Sequence, residues 1–241
     1  MRLHLKLLAF LAVSACGEII APVVVSDEPQ VSTIAARLPS PQQAADNFVA
    51  VVDLVEPVAE RICRAEAPAS KCDYQIIVDN RPNQPPNAYQ TLDRNGRPII
   101  AFTIALIAEA RNRDELAFIL GHEAAHHIAG HIERQRDSAL RGALLAGVLA
   151  GLGGAQESGI RNAQDFGAVV GARAYSKDFE LEADALGTVI AFRAGFDPEA
   201  GAQYFARIAD PGNRFLGTHP PNAQRIQTVR RTLAALQQQP G

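Results

Sequence analysis

The sequence predicts an α+β chain, mostly helical, with one small sheet or hairpin beside a central helix. Three observations carry that expectation. A helical pattern runs through Leu116 to Ala129, three short β-rich runs lie upstream of it, and almost everything downstream reads as helix. The chain has 241 residues, 47% of them hydrophobic, and no repeat of 20 to 50 residues divides it. One domain with a substantial core is therefore expected.

The elements follow in order. Arg2, His4 and Lys6 precede an apolar run from Leu7 to Val13 and then Ser14-Ala15-Cys16. That run is too short to span a bilayer and has the layout of an export signal, residues 1–15. Gly17 to Gln43 is rich in Pro, Ser and Val without helical period, so it reads as a tether and the folded domain is expected over 44–241. From Ala44 to Arg64 a stripe of Phe48, Val51, Val52, Val55 and Ile62 predicts a helix despite Pro57. Tyr74 to Val78 is β-rich, and Ala88 to Leu92 and Pro98 to Phe102 flank Asn95-Gly96, a hairpin signal. Gly142 to Gly154 is apolar but falls short of a membrane span. A buried or mobile helix is expected there; a lid over the site or a membrane-facing patch is the alternative.

The central helix carries the chemistry. Ile119 to His131 reads ILGHEAAHHIAGH, which contains HExxH as His122, Glu123, Ala124, Ala125 and His126. Residues four apart share a helix face, so two imidazoles can chelate one zinc ion while the intervening Glu reaches the water beside it. Asp114 and Glu115 favour a helix N-terminus just upstream. His127 and His131 are also four apart, but Ile128 stands where a base would be needed, so solvent or supporting roles are expected for both. A third-histidine ligand would require His at 132 with Gly at 129, whereas Gly130 and His131 are one place out of register. The remaining ligand should then be a carboxylate.

Lys177 to Gly187, KDFELEADALG, supplies candidates. Glu180 and Asp184 are four apart on one face and Glu182 points roughly the opposite way. Glu180 is the expected third zinc ligand, and Asp184 the carboxylate that orients a ligand imidazole through its free N–H. Taken alone, such a run reads as a solvated acidic face. Two His, one Glu and a water complete a four-coordinate catalytic site, with Zn²⁺, one per chain, as the expected cofactor.

HEAAHHIAGH followed by ELEAD resembles the HtpX-like and CAAX-prenyl-protease-like zinc metallopeptidases, a gluzincin family. Asn87 to Leu92 (NAYQTL) is similar to that family's segment before the active-site helix, and Thr218-His219-Pro220-Pro221 with Arg225 to its late elements. The resemblance covers about residues 42 to 236; it departs at FTIAL, where Ile104 and Ala105 stand in place of the Gly frequent in relatives. It implies a gluzincin-type domain hydrolysing peptide bonds, with Glu123 as base. It also implies His219 near the zinc, either stabilising the tetrahedral intermediate or capping the open position at rest, and a supporting role for Arg225. Read from the residues alone, His219 is a loop histidine and Arg225 a solvated helix residue.

Val13-Ser14-Ala15-Cys16 resembles a bacterial lipobox, which implies a lipidated Cys16 anchoring the mature chain. Gly17 after it favours the outer membrane, facing the periplasm; ordinary secretion is the alternative. In such a compartment Cys63 and Cys72, flanking the turn-rich RAEAPASK, are expected to form a disulfide, with two free thiols or a metal-ligand role as the alternative. A net charge of −3 with scattered basic residues gives no footprint for nucleic acid, and none is expected as a partner. The expected partners are polypeptides bound in extended form, paired with a hairpin strand, and a membrane through the lipid. The expected function is cleavage of misfolded or misassembled envelope proteins. A zinc-bearing chaperone or assembly factor for outer-membrane proteins is the alternative.

Overall fold

The computed structural model describes residues 38–174, 176–212 and 219–238. Eight α-helices and three strands are present among them, in the order α1 (Pro41–Glu66), β1 (Gln75–Asp79), β2 (Ala88–Leu92), β3 (Pro98–Thr103), α2 (Ile104–Glu109), α3 (Arg113–Ile128), α4 (His131–Leu152), α5 (Glu157–Ala174), α6 (Ser176–Arg193), α7 (Pro198–Ala202) and α8 (Asn222–Gln237). The fold is α+β and mostly helical, as expected. Cys16 and the export signal lie outside the described residues.

Helix α1 starts three residues before the expected Ala44. Ser40 and Gln43 form a reciprocal capping box, and Pro41 occupies the first turn, where its missing N–H costs nothing. Its apolar stripe, with Phe48, Val51, Val55 and Ile62 buried, packs on α3. A disulfide joins Cys63 near the end of α1 to Cys72 just before β1.

The sheet has the order β1-β3-β2. β2 and β3 pair antiparallel, Tyr89 opposite Ala101 and Leu92 opposite Pro98, across a loop in which Gly96 takes φ +76° and the Asp93 carboxylate accepts from the Asn95 and Arg97 N–H groups. β1 pairs parallel to β3, Gln75 opposite Ile99, which leaves β2 as an edge strand beside α3. Thr103 ends β3 and caps α2 by accepting from the Leu106 N–H.

Helix α3 is the centre of the molecule. Every residue from Glu115 to Ala125 is buried, because α1, α6, α7 and β2 surround it. Such a helix reads apolar on all sides except where it carries the site. Asn112 caps its start by accepting from the Glu115 N–H, and Gly130 at φ +63° turns the chain into α4. α3 and α6 meet backbone to backbone: a Cβ on Gly187 would lie 2.8 Å from the His122 nitrogen, and one on Gly121 would lie 2.8 Å from the Gly187 carbonyl oxygen.

Gly142 to Gly154 is largely helical, as expected, but it is not buried. Most of it forms the outer half of α4, which pairs with α5 as a helical hairpin. Gly142, Gly167 and Gly171 let the two backbones touch; a Cβ on Gly142 would lie 2.1 Å from the Gly167 carbonyl oxygen. With the small residues consumed by that contact, Leu144, Leu145, Val148, Leu149 and Leu152 are left exposed. No helix among the described residues is long and apolar enough to cross a membrane.

Candidate metal centre and active site

α3 projects His122 and His126 from one face, and α6 brings Glu180 against them. The two Nε2 atoms are 3.0 Å apart, and Glu180 oxygens lie 3.6 Å from His122 Nε2 and 3.4 Å from His126 Nε2. Around a tetrahedral zinc with bonds of ~2.0–2.1 Å, ligand atoms should be separated by about 3.3 Å. The three edges bracket that value, so the donor set fits a zinc ion. It is the only such cluster of His, Cys, Asp and Glu found among the described residues. Burial, with the nearby His122 adding to it, pushes the His126 imidazole down to about 3, which keeps it neutral as a metal ligand must be. Burial alone would raise the Glu180 carboxyl; the hydrogen bond from His219 and the charges of His122 and Arg225 hold it well below the ordinary range.

Each imidazole is oriented from behind. His122 Nδ1 lies 3.0 Å from Asp184 Oδ1, and Arg225 clamps the same carboxylate with Nε 2.8 Å from Oδ2 and Nη2 2.6 Å from Oδ1. Arg225 is buried, its guanidinium 3.7 Å above the centre of the Phe205 ring. The sequence around Arg225 predicts a solvated helix residue; the Asp184 carboxylate and the Phe205 ring explain why it is inside. Burial would raise Asp184 as well, but the hydrogen bonds from Arg225 and His122 lower it, so it stays ionised. His126 Nδ1 meets His131 Nδ1 at 2.8 Å. His131 Nε2 in turn lies 3.2 Å from Glu182, whose carboxylate also accepts from Arg134 at 2.8 Å. His131 stacks on Phe179 with centroids 4.5 Å apart.

Glu182 therefore does not simply face away from the site. Its helix position is opposite Glu180, yet α4 begins just where that side of α6 points, and Glu182 with His131 backs the His126 ring. His127 turns elsewhere, 2.6 Å from the Lys71 carbonyl and edge-on to Tyr74.

Glu123 is buried beside the ligands. Burial, with the Glu180 charge adding to it, raises its carboxyl to about 7, against the pull of His122 and Arg225 and of a hydrogen bond from the Gln90 backbone on β2. His219, half exposed, places Nδ1 3.0 Å from Glu180 Oε2. The site lies in a cleft of about 630 Å³ whose walls include Asn87 and Gln90 from the β2 side and Phe205 and Pro211 opposite.

Two imidazoles and a carboxylate brought together, with a buried glutamate beside them on a helical HExxH, have the makeup of a metallopeptidase centre. The chain belongs to peptidase family M48, whose sequence profile matches residues 50–233. It is 37% identical over 129 residues to a Vibrio cholerae protein provisionally named as a beta-barrel assembly-enhancing protease, covering 51% of this chain and 26% of that protein. It is 31% identical over 170 residues to the mitochondrial metalloendopeptidase OMA1 of Saccharomyces cerevisiae, covering 66% of this chain and 47% of that one. The beta-barrel assembly-enhancing protease of Yersinia pestis is 30% identical over 139 residues, covering 52% and 29%. The matched region thus spans between about a quarter and a half of these relatives.

Proposed function

We propose that this chain is a zinc-dependent endopeptidase that cleaves misfolded or misassembled proteins of the bacterial envelope. The triangle of His122, His126 and Glu180 with Glu123 beside it supports the reading more than any other observation. These three residues would hold Zn²⁺, which supplies a Lewis acid that polarises a carbonyl and acidifies water. Glu123 takes the proton of the attacking water and passes it to the leaving amine. Asp184 and Arg225 fix the His122 ring, and His131 with Glu182 fixes His126. An extended substrate pairs with the free edge of β2 and runs along the cleft past Gln90. His219 rests on Glu180, closing one side of the site; turned toward substrate, it donates to the oxyanion.

The envelope assignment draws on the names of two relatives, beta-barrel assembly-enhancing proteases, and on the lipobox-like sequence at Cys16. In this reading the mature chain is held by lipid at the outer membrane and faces the periplasm. A complete ligand set with its base favours cleavage over client binding alone. Purified Glu123→Gln protein tests this: it should keep stoichiometric zinc and lose cleavage of an unfolded protein. Undiminished turnover by that variant would reject the assignment of the base.

A further inference from the structure

The outer half of the α4–α5 hairpin has no part in the chemistry above, and it presents an apolar face to solvent. On α4, Leu140, Leu144, Leu145, Val148, Leu149 and Leu152 are all more than half exposed. At 100° per residue they sweep about half the circumference of the helix, well beyond the narrow seam through which one helix packs on another. From Gly142 to Gln156 the chain carries no charged residue. The outward side of α5 is mixed: Glu157, Arg161 and Asp165 are exposed on it, and so are Phe166 and Val169.

We infer that this hairpin lies in the surface of a lipid bilayer, the α4 face among the acyl chains and the charged side of α5, with Glu157, Arg161 and Asp165, toward water. Three features select lipid over a second protein. The face is wide and almost wholly aliphatic, which suits a continuous apolar medium. Gly142 to Leu152 extends only ~16 Å, too short to span but enough to lie within one leaflet. Exposed Arg141 stands at the base of the same face, where its long stem can follow the leucines while its guanidinium meets headgroup phosphates. The inference is independent of the peptidase reading, since it uses none of the site residues.

The chain contains no tryptophan, so one introduced residue reports its own surroundings. Leu149→Trp and, as a control, Leu54→Trp on the exposed side of α1 would be made in the full chain and mixed with vesicles of phosphatidylethanolamine and phosphatidylglycerol carrying brominated acyl chains. Trp emission from Leu149→Trp should shift to shorter wavelength and lose about half its intensity or more, as expected for a ring buried ~5–10 Å below the headgroups. The Leu54→Trp signal should stay at its aqueous value. Because each signal is local, membrane attachment elsewhere in the chain does not mask the result. Equal quenching at both positions, or none at position 149 while the chain sediments with vesicles, would overturn the inference. A concentration-dependent blue shift of Leu149→Trp without lipid, with a doubled mass in solution, would overturn it in favour of a second copy. Adding Leu145→Asp to Leu149→Trp should abolish the lipid signal while leaving the melting temperature within the range of the parent; quenching that persists would also count against it.

Discussion

Gly187→Ala tests how the helix contact sets the metal site. The new methyl would stand 2.8 Å from the His122 nitrogen and 2.9 Å from its Cα, where ordinary contact begins at 3.4 Å. Both neighbours are backbone of a helix buried on all sides, so α6 must yield by about 0.6 Å, and overpacking of this kind costs ~1–3 kcal/mol. Asp184 is one turn and Glu180 two turns before Gly187 on the same rigid helix, so both move with it. Metal–ligand distances tolerate shifts of only ~0.2 Å. Zinc affinity should fall about tenfold or more, which corresponds to ~1.4 kcal/mol. Competition with a chromophoric chelator measures it, with Gly151→Ala as control because its Cβ would meet only the Ile160 side chain at 3.8 Å. Parental affinity and melting temperature in Gly187→Ala would refute the idea that this close approach positions the third ligand.

The other predictions concern the supports of the site and the frame. His131→Ala should weaken zinc binding by ~10- to 100-fold without removing a ligand, Glu182→Gln by less, and His131→Asn should restore part of the loss; equal affinity in all three would remove the backing role. Glu123 has its folded pKa raised to about 7 by burial, so its stabilising contribution is present below its ordinary value and lost as pH rises through 7. Metal-free Glu123→Gln should therefore melt higher than the parent at pH 8 and close to it at pH 4, and the reverse order would contradict the assignment. With peptide substrate, kcat/KM should rise with pH along an acid limb no higher than about 7, since a nearby dication favours the carboxylate. Reduction of the Cys63–Cys72 bond, nine residues apart in sequence, should cost about 2.5 kcal/mol by the loop-entropy relation, readable by urea unfolding.

Much of this was legible in the sequence because it rests on local periodicity. The i, i+4 spacing of His122 and His126, the hairpin at Asn95-Gly96 and the stripe on α1 each depend only on neighbours along the chain. The Ser40-to-Gln43 capping box was equally local, and it would have placed the start of α1 correctly. What escaped depends on how helices cross. Periodicity says that Glu182 opposes Glu180, but not that α4 begins beside it and puts His131 within reach. A lone arginine on a polar helix reads as solvated until Asp184 and Phe205 are seen around it. The apolar run at Gly142 to Gly154 suggested burial, yet glycines brought α4 and α5 so close that the leucines had nowhere to go but outward.

Diffraction data collected across the zinc absorption edge, on crystals of zinc-loaded protein, bear most directly on the central claim. One anomalous peak should lie ~2.0–2.2 Å from His122 Nε2, His126 Nε2 and a Glu180 oxygen, with its fourth side toward Glu123 and the cleft. A peak elsewhere, or one bound by the two histidines with Glu180 out of bonding range, would contradict it.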